Sequence, residues 1–543
     1  MAHQADNIPW QVLAANLRYH PYQQQPADFV WRYTQTHARD IEQFAETFVR
    51  YLHEDTVTER AKFPATYDTP NPNDTLIDDA TAKKINGTVY RWRKAMSENW
   101  LVHDDPSVQW NGANALCPHT PEARDTPPDS ETSAYISPSP ISTCSCPLPV
   151  AECKVSAFIR RYRGNDCHRF YEVNQNAFVN IEVAKTLIIH GKMEPLLRTA
   201  SHPQNDYASW VGVTECHCKP EKLGWEALYR SALDAFLTLN IIACFPELWD
   251  SECMKENGEM GGSWGTLMED EYRNTALYQR LVQRCTWPGE SIVPTYPHLD
   301  FFGIPERHPR NAYFEFDGAL AREWPALRLV AEKERQRQRQ EEEKMEKLRS
   351  PGLVAFGDEQ KAEKKKLEKE KSQRVRAARG KFPVGQVPYD VFLNSTTPVP
   401  HLPSAHDIQQ VSEILYKKGL PPELIQPIMA MADYDTPQRC LPVPHDPFHP
   451  DNRDELTTYL ASCWGIIVRY NMLAQELGIK MHWKLEVLDS LSRTVDMRGN
   501  RLYSQYSTGR RIDAHLRLFR FEDAQGKTLG EFRVEEEDYP RWI

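Results

Sequence analysis

Hydrophobic positions recur at helical spacing over most of this chain. After Pro26, the residues Phe29, Val30, Tyr33, His37, Ile41, Phe44, Phe48 and Leu52 follow one another at short, mostly three- and four-residue steps. That pattern predicts one long amphipathic helix. Ile85, Val89, Trp92, Met96 and Trp100 predict a second, and the stretch FPATYDTPNPNDT between them reads as a loop. Phe178 to His190 predicts a helix with Gly191 just past its end. Leu223 to Cys244 is apolar on most sides, with Trp225, Leu228, Leu233, Phe236, Leu237 and Ile241. It should therefore sit at the centre of its block, its bulk serving as core. Glu269 to Cys285 predicts a further helix through Tyr272, Leu277, Leu281 and Val282.

The C-terminal part begins in the same way. Ser404 and Asp407 stand at capping-box spacing, and Gly419 closes that helix. Pro421 and Pro422 open another, and Asp451 or Asn452 is placed to cap a long one bearing Leu456, Leu460, Trp464, Ile467 and Leu473. After Trp483 the pattern turns to alternation. The runs DAHLRLFRFED and TLGEFRV predict two strands joined by a glycine-containing turn. The fold class expected is mainly α in the N-terminal two-thirds, with an α+β C-terminal domain carrying a small antiparallel sheet.

Composition divides the chain. Residues 104–149 are rich in Pro, Ser and Thr and cannot bury enough apolar surface to order themselves, which marks a disordered linker. Residues 331–383 are charge-dense and nearly free of aromatics, and read as a charged helical connector broken at Ser350-Pro351-Gly352. The blocks left are a helical region 1–103, a helical globular block 150–330 that can share a core with it, and an α+β domain 384–543.

Charge narrows the partner classes. The net charge of −11 over 543 residues argues against a general nucleic-acid binder. Residues 361–381 run against that, with ten Lys/Arg and three Glu giving +7, so the remainder carries −18. The basic patch Lys364, Lys365, Lys366, Arg374, Arg376 and Arg379 is therefore the one place where phosphate or an import receptor would bind. The competing reading is a solvated helix, because Glu363, Glu368 and Glu370 interleave with the lysines. The N-terminus shows no basic start followed by an apolar run, and no segment has membrane-helix length. Twelve cysteines are too few for a disulfide scaffold. Together these predict a cytoplasmic or nuclear protein.

Candidate chemistry is sparse. Cys144, Cys146, Cys153, Cys216 and Cys218 could converge on zinc, although none forms a two-residue-gap knuckle and free thiols are the alternative. His298-Leu-Asp300 has the local form of an iron-binding His-x-Asp pair, with His401, His406, His445 or His449 as a distant third ligand. His445-Asp446 and His449-Pro450-Asp451 form a second cluster, which equally suits a polar turn before a helix. Gly261 to Gly265 lacks the strand and lysine of a phosphate loop.

The segment GLPPELIQPIMAMADY resembles the first helix of F-box-like proteins through Leu420, Pro421, Glu423, Leu424, Ile425 and Ile428. The resemblance implies a surface that docks a ubiquitin-ligase adaptor, and it covers about 16 residues of the 543. It then departs from that family, because RCLPVPHDPFHPDN intervenes where the next helix should start. The chain also resembles uncharacterised proteins of filamentous fungi. The function expected is an interaction or scaffold protein with a protein partner and no readable catalytic motif. An F-box-like adaptor and a zinc- or iron-binding protein or enzyme are the alternatives.

Overall fold

The protein is described from a computed structural model. It describes residues 7–15, 17–19, 29–31, 37–100, 148, 150–159, 175–205, 225–244, 272–286, 296–304, 389–393, 401–432, 434, 437 and 439–494, and the backbone of 501–506, 516–522 and 528–535. The linker 104–147, the connector and its basic patch, and Cys144, Cys146, Cys216 and Cys218 lie outside the described residues.

The chain begins with α1 (Trp10–Ala15), followed by β1 (Leu17–Tyr19) and β2 (Phe29–Trp31), which pair antiparallel. The long helix α2 (His37–Arg60) starts only at His37. The expected start at Pro26 is corrected by this pairing. The run Phe29-Val30-Trp31 is aromatic and β-branched, and it takes up the pleat when a partner strand is at hand. Then come α3 (Asp79–Trp100), α4 (Val155–Phe158), α5 (Gln175–Ile189), α6 (Glu194–Ala200) and α7 (Trp225–Ala243). Gly191 follows α5 with φ of 67°, the left-handed turn a helix end requires. The 3₁₀ turn Tyr272–Asn274 leads into α8 (Ala276–Thr286), and the short α9 (Tyr296–Phe302) and α10 (Tyr389–Leu393) follow. A hairpin of α11 (Ala405–Lys417) and α12 (Pro422–Met431) precedes α13 (Arg453–Glu476) and α14 (Trp483–Thr494).

The core is built on three long helices. α13 lies against α2 and α7, and α14 packs on both of the latter. Their apolar stripes meet as an aromatic chain. Trp10 stands edge-on to Phe44 at 5.2 Å, Phe48 to Trp464 at 5.2 Å, and Tyr229 to Trp483 at 5.2 Å. Trp225 and Trp464 are buried, so both serve packing, as expected from their helices. A buried polar thread ties the same helices. The Trp483 indole donates to Asn471 at 2.7 Å, the Asn471 amide donates to Thr56 at 2.9 Å, and the Thr56 hydroxyl donates to the Leu52 carbonyl at 2.6 Å. The thread pairs the buried Asn471 amide and Trp483 indole, and it fixes the rotation of α13 against α2. One hydrophobic core takes side chains from Ile8 to Leu491. Stretches that composition assigns to 1–103, 150–330 and 384–543 meet in it.

Two local expectations change. Residues after Trp483 form α14 instead of strand. WKLEV alternates like a strand, but Trp483, Val487, Leu488 and Leu491 share a helical face and are all buried. Asn452 does not cap α13 with its side chain. Its amide donates to the Val443 and Asp446 carbonyls at 2.8 and 2.7 Å, and its oxygen accepts from the Val443 amide. It staples the preceding loop instead. Beyond α14, the backbone of β3 (Arg501–Tyr506), β4 (Leu516–Glu522) and β5 (Thr528–Glu535) pairs antiparallel in that order. The protein is mostly helical, and among the described residues no helix is long and apolar enough to cross a membrane.

Candidate functional site

The two His/Asp elements singled out in the sequence meet in space. α9 (YPHLDFF) carries His298 and Asp300, and the loop 439–452 carries His445, Asp446 and His449. The Cys440 amide donates to the Asp300 carbonyl at 3.0 Å, and His445 Nδ1 lies 3.0 Å from the Phe302 carbonyl. The loop therefore caps the C-terminal end of α9.

The side chains turn away from one another. His298 Nδ1 meets the Tyr459 hydroxyl at 2.5 Å in the core, and burial lowers its pKa to about 3. His449 accepts from the Asp451 amide at 3.2 Å, a turn contact at the start of α13. Asp446 accepts from Tyr272 at 2.5 Å, and burial together with that carboxylate drives the Tyr272 pKa far upward. His401 stacks on Tyr434, and His406 bonds Gln410. No group of three His, Cys, Asp or Glu side chains suited to a metal ion occurs among the described residues. The His298–Asp300 iron reading is therefore corrected. Where the two short elements pack together, the His445 imidazole meets the Phe302 backbone carbonyl, while the His298 ring points into the core.

Around this junction lies a cluster that spacing did not reveal. Tyr272, Tyr278, Tyr389 and Phe448 pack edge to face at 5.0–5.3 Å, and Arg273 lies over Tyr389 at 5.9 Å. These residues come from three separate stretches, 272–278, 389 and 448, and no periodicity links them.

Of the five candidate zinc cysteines, Cys153 alone is described. It is buried in the core with its thiol near the Leu148 carbonyl at 3.8 Å, and burial pushes its pKa up to about 11. A thiol held protonated this way is a packing group.

The hairpin of α11 and α12 is the opposite of that junction. Its start is well built. Ser404 accepts from the Asp407 amide at 3.2 Å, and Asp407 accepts from the Ser404 amide at 2.7 Å, the expected capping box. Against the partial burial that would raise it, the bonds from Ser404 and the Arg439 guanidinium at 2.6 Å hold the Asp407 carboxyl below the usual carboxylate range. Gly419 takes φ of 85° between the helices. Beyond this base the hairpin stands out from the core. α11 buries no residue, and α12 buries only Ile425 and Met429. Of the eight exposed large hydrophobics among the described residues, five lie here: Ile414, Tyr416, Leu424, Ile428 and Met431. Met431 is 80 % exposed and Tyr416 65 %. The F-box-like residues Pro421, Glu423, Leu424 and Ile428 are all exposed, and Leu420 is half-buried.

A family model described as gramillins biosynthetic cluster protein GRA5 matches residues 11–503. The chain belongs to this GRA5 family. The match spans nearly the whole helical core and the hairpin, and it ends inside β3. It agrees with the resemblance to uncharacterised fungal proteins and lends nothing to the F-box resemblance. No curated protein and no solved structure matches the chain.

Proposed function

We propose that this GRA5-family chain is an interaction protein of a biosynthetic gene cluster, and that α11 and α12 are its docking surface. The single observation that carries the reading is the concentration of exposed apolar side chains on one projecting hairpin. Soluble proteins rarely leave such a cluster on the surface without a use for it. α12 is apolar on two faces. Ile425 and Met429 pack inward, while Leu424, Ile428 and Met431 face out. An exposed helical apolar face suits an amphipathic helix of a partner laid across it. Family membership supplies the occupant, another protein of the same cluster. Lys417 and Lys418 at the hairpin turn favour an acidic residue beside the partner's apolar stripe.

We also read 1–103, 150–330 and 384–543 as one folding unit, interrupted by the linker 104–149 and the connector 331–383. β3 to β5 form its small antiparallel sheet.

The test is co-expression of the full chain with each other protein of the cluster, followed by size-exclusion chromatography. The expected result is co-elution with one of them, lost in Leu424→Glu/Met431→Glu. If the double variant co-elutes equally well, or supports product formation at the unsubstituted level in the producing organism, the hairpin is not the docking surface. Co-elution with a ubiquitin-ligase adaptor in place of a cluster protein would overturn the choice of partner.

A further inference from the structure

His445 is the one non-glycine residue with a left-handed backbone among the described residues, with φ of 57°. That conformation costs an L-residue energy, so its surroundings must hold it there. They do so from three sides. Nδ1 faces the Phe302 carbonyl at 3.0 Å; a carbonyl only accepts, so Nδ1 carries the proton and Nε2 is bare. The Arg273 guanidinium donates to the His445 carbonyl at 3.1 Å. Gly303, itself at φ of 65°, lets the ring approach so closely that an added Cβ would stand 3.4 Å from its Cε1.

The neutral ring sits among cations. Arg439 from its own segment and Arg273 from the 3₁₀ turn both disfavour a second positive charge. Tyr389 of α10 faces the ring at 6.2 Å and brings no charge. The acids on the packed elements are Asp446, Asp407, Asp300 and Asp390. Asp446 is engaged by Tyr272, and Asp407 by Arg439. Burial lowers the His445 pKa to about 4; the Phe302 carbonyl opposes this and the two arginines reinforce it.

The position of this ring gives it leverage. Residues 439–446 are the return path from the hairpin to the core. Arg439 closes the hairpin base on Asp407 and on the Pro403 carbonyl, and Cys440 and His445 then attach the path to α9. We propose that His445 is a proton-operated latch, whose protonation releases residues 439–446 from α9 and so loosens the root of the α11–α12 hairpin. The device does not depend on what the hairpin binds.

Opening restores an ordinary histidine, so protons favour the open form. With pKa values of about 6.5 open and about 4 latched, the opening constant rises about twentyfold from pH 7 to pH 5. Amide exchange at 439–446 in the full chain, corrected for the intrinsic pH dependence, should rise by that factor. His445→Asn should abolish the rise. Asn tolerates the left-handed region and can donate to the Phe302 carbonyl, but it cannot titrate. An unchanged opening constant in the unsubstituted chain, or the same rise in His445→Asn, overturns the latch. Ring NMR of the unsubstituted chain is independent of how the variant folds. Titration of His445 near 4 supports the proposal, and titration near 6.5 sinks it.

Discussion

The helices of the core and the helices of the hairpin are written in the same alphabet and end in opposite environments. α13 and α12 are both apolar-rich and both follow a proline-containing turn. α13 buries thirteen side chains among α2, α7 and α14, while α12 buries two. The difference lies in neighbours, not in helix-forming tendency. α13 has polar anchors at fixed depths, with Asn471 on Thr56 and the Trp464 indole on Asp55 at 2.6 Å. Among the described residues, the hairpin's polar anchors lie at its base, through Ser404, Asp407 and Arg439. A region tied along its length is structural, whereas one tied at a single end and apolar beyond it is available to a partner.

Four measurements test that contrast, in decreasing order of expected effect. Trp464→Ala removes an indole that touches Phe48 and Phe236 and bonds Asp55. Urea unfolding should show a loss of about 3–5 kcal/mol; a loss under about 1 kcal/mol would mean that α13 is not a core helix. Acidification should come next. His298 is neutral in the core, with a folded pKa of about 3. The unfolded chain takes up that proton below about 6.5, so the stability it contributes is present at neutral pH and declines as pH falls. From pH 7 to pH 5 the decline is about 2 kcal/mol from this residue. Urea midpoints at the two pH values, compared with those of His298→Gln, isolate it, and equal pH slopes in both proteins would remove the claim.

Ser404→Ala should cost about 1 kcal/mol through loss of the N-cap bond. The effect should be local, read as faster amide exchange in α11 with the core unchanged. Spread of the effect into α13 would mean that the hairpin is coupled to the core more tightly than its single-ended anchoring implies. Smallest of all, Leu424→Glu/Met431→Glu should change unfolding free energy by no more than about 0.5 kcal/mol, because both side chains are exposed. A larger loss would show that this face is packed, and the docking surface would fall with it.

Much of the helical content was legible in the residues alone. The stripe Ile41, Phe44, Phe48 and Leu52, the Ser404–Asp407 box and Gly191 each belong to one short stretch, so their physics is local. The stretch after Trp483 was misread because the five residues WKLEV fit either period, and the decision fell to Leu488 and Leu491 further on. The Phe29–Trp31 strand was misread because its partner, Leu17–Tyr19, lies ten or more residues upstream. The Tyr272–Tyr278–Tyr389 cluster and its link to His445 had no signal at all, since the residues are gathered from separate parts of the chain.

By itself, the sequence determined most of the core's helical stretches and their apolar faces, and it marked the ends that carry a capping box or a closing glycine, because capping and periodicity act within a few residues. It also carried the one motif-like resemblance, four of whose residues, Pro421, Glu423, Leu424 and Ile428, are exposed. Only the tertiary structure decided which apolar faces are used. It joined three compositional blocks in one core, turned His298 and His445 away from any shared ligand, and left the outer face of α12 uncovered. Burial and charge environment depend on elements hundreds of residues apart, and no local pattern encodes those meetings.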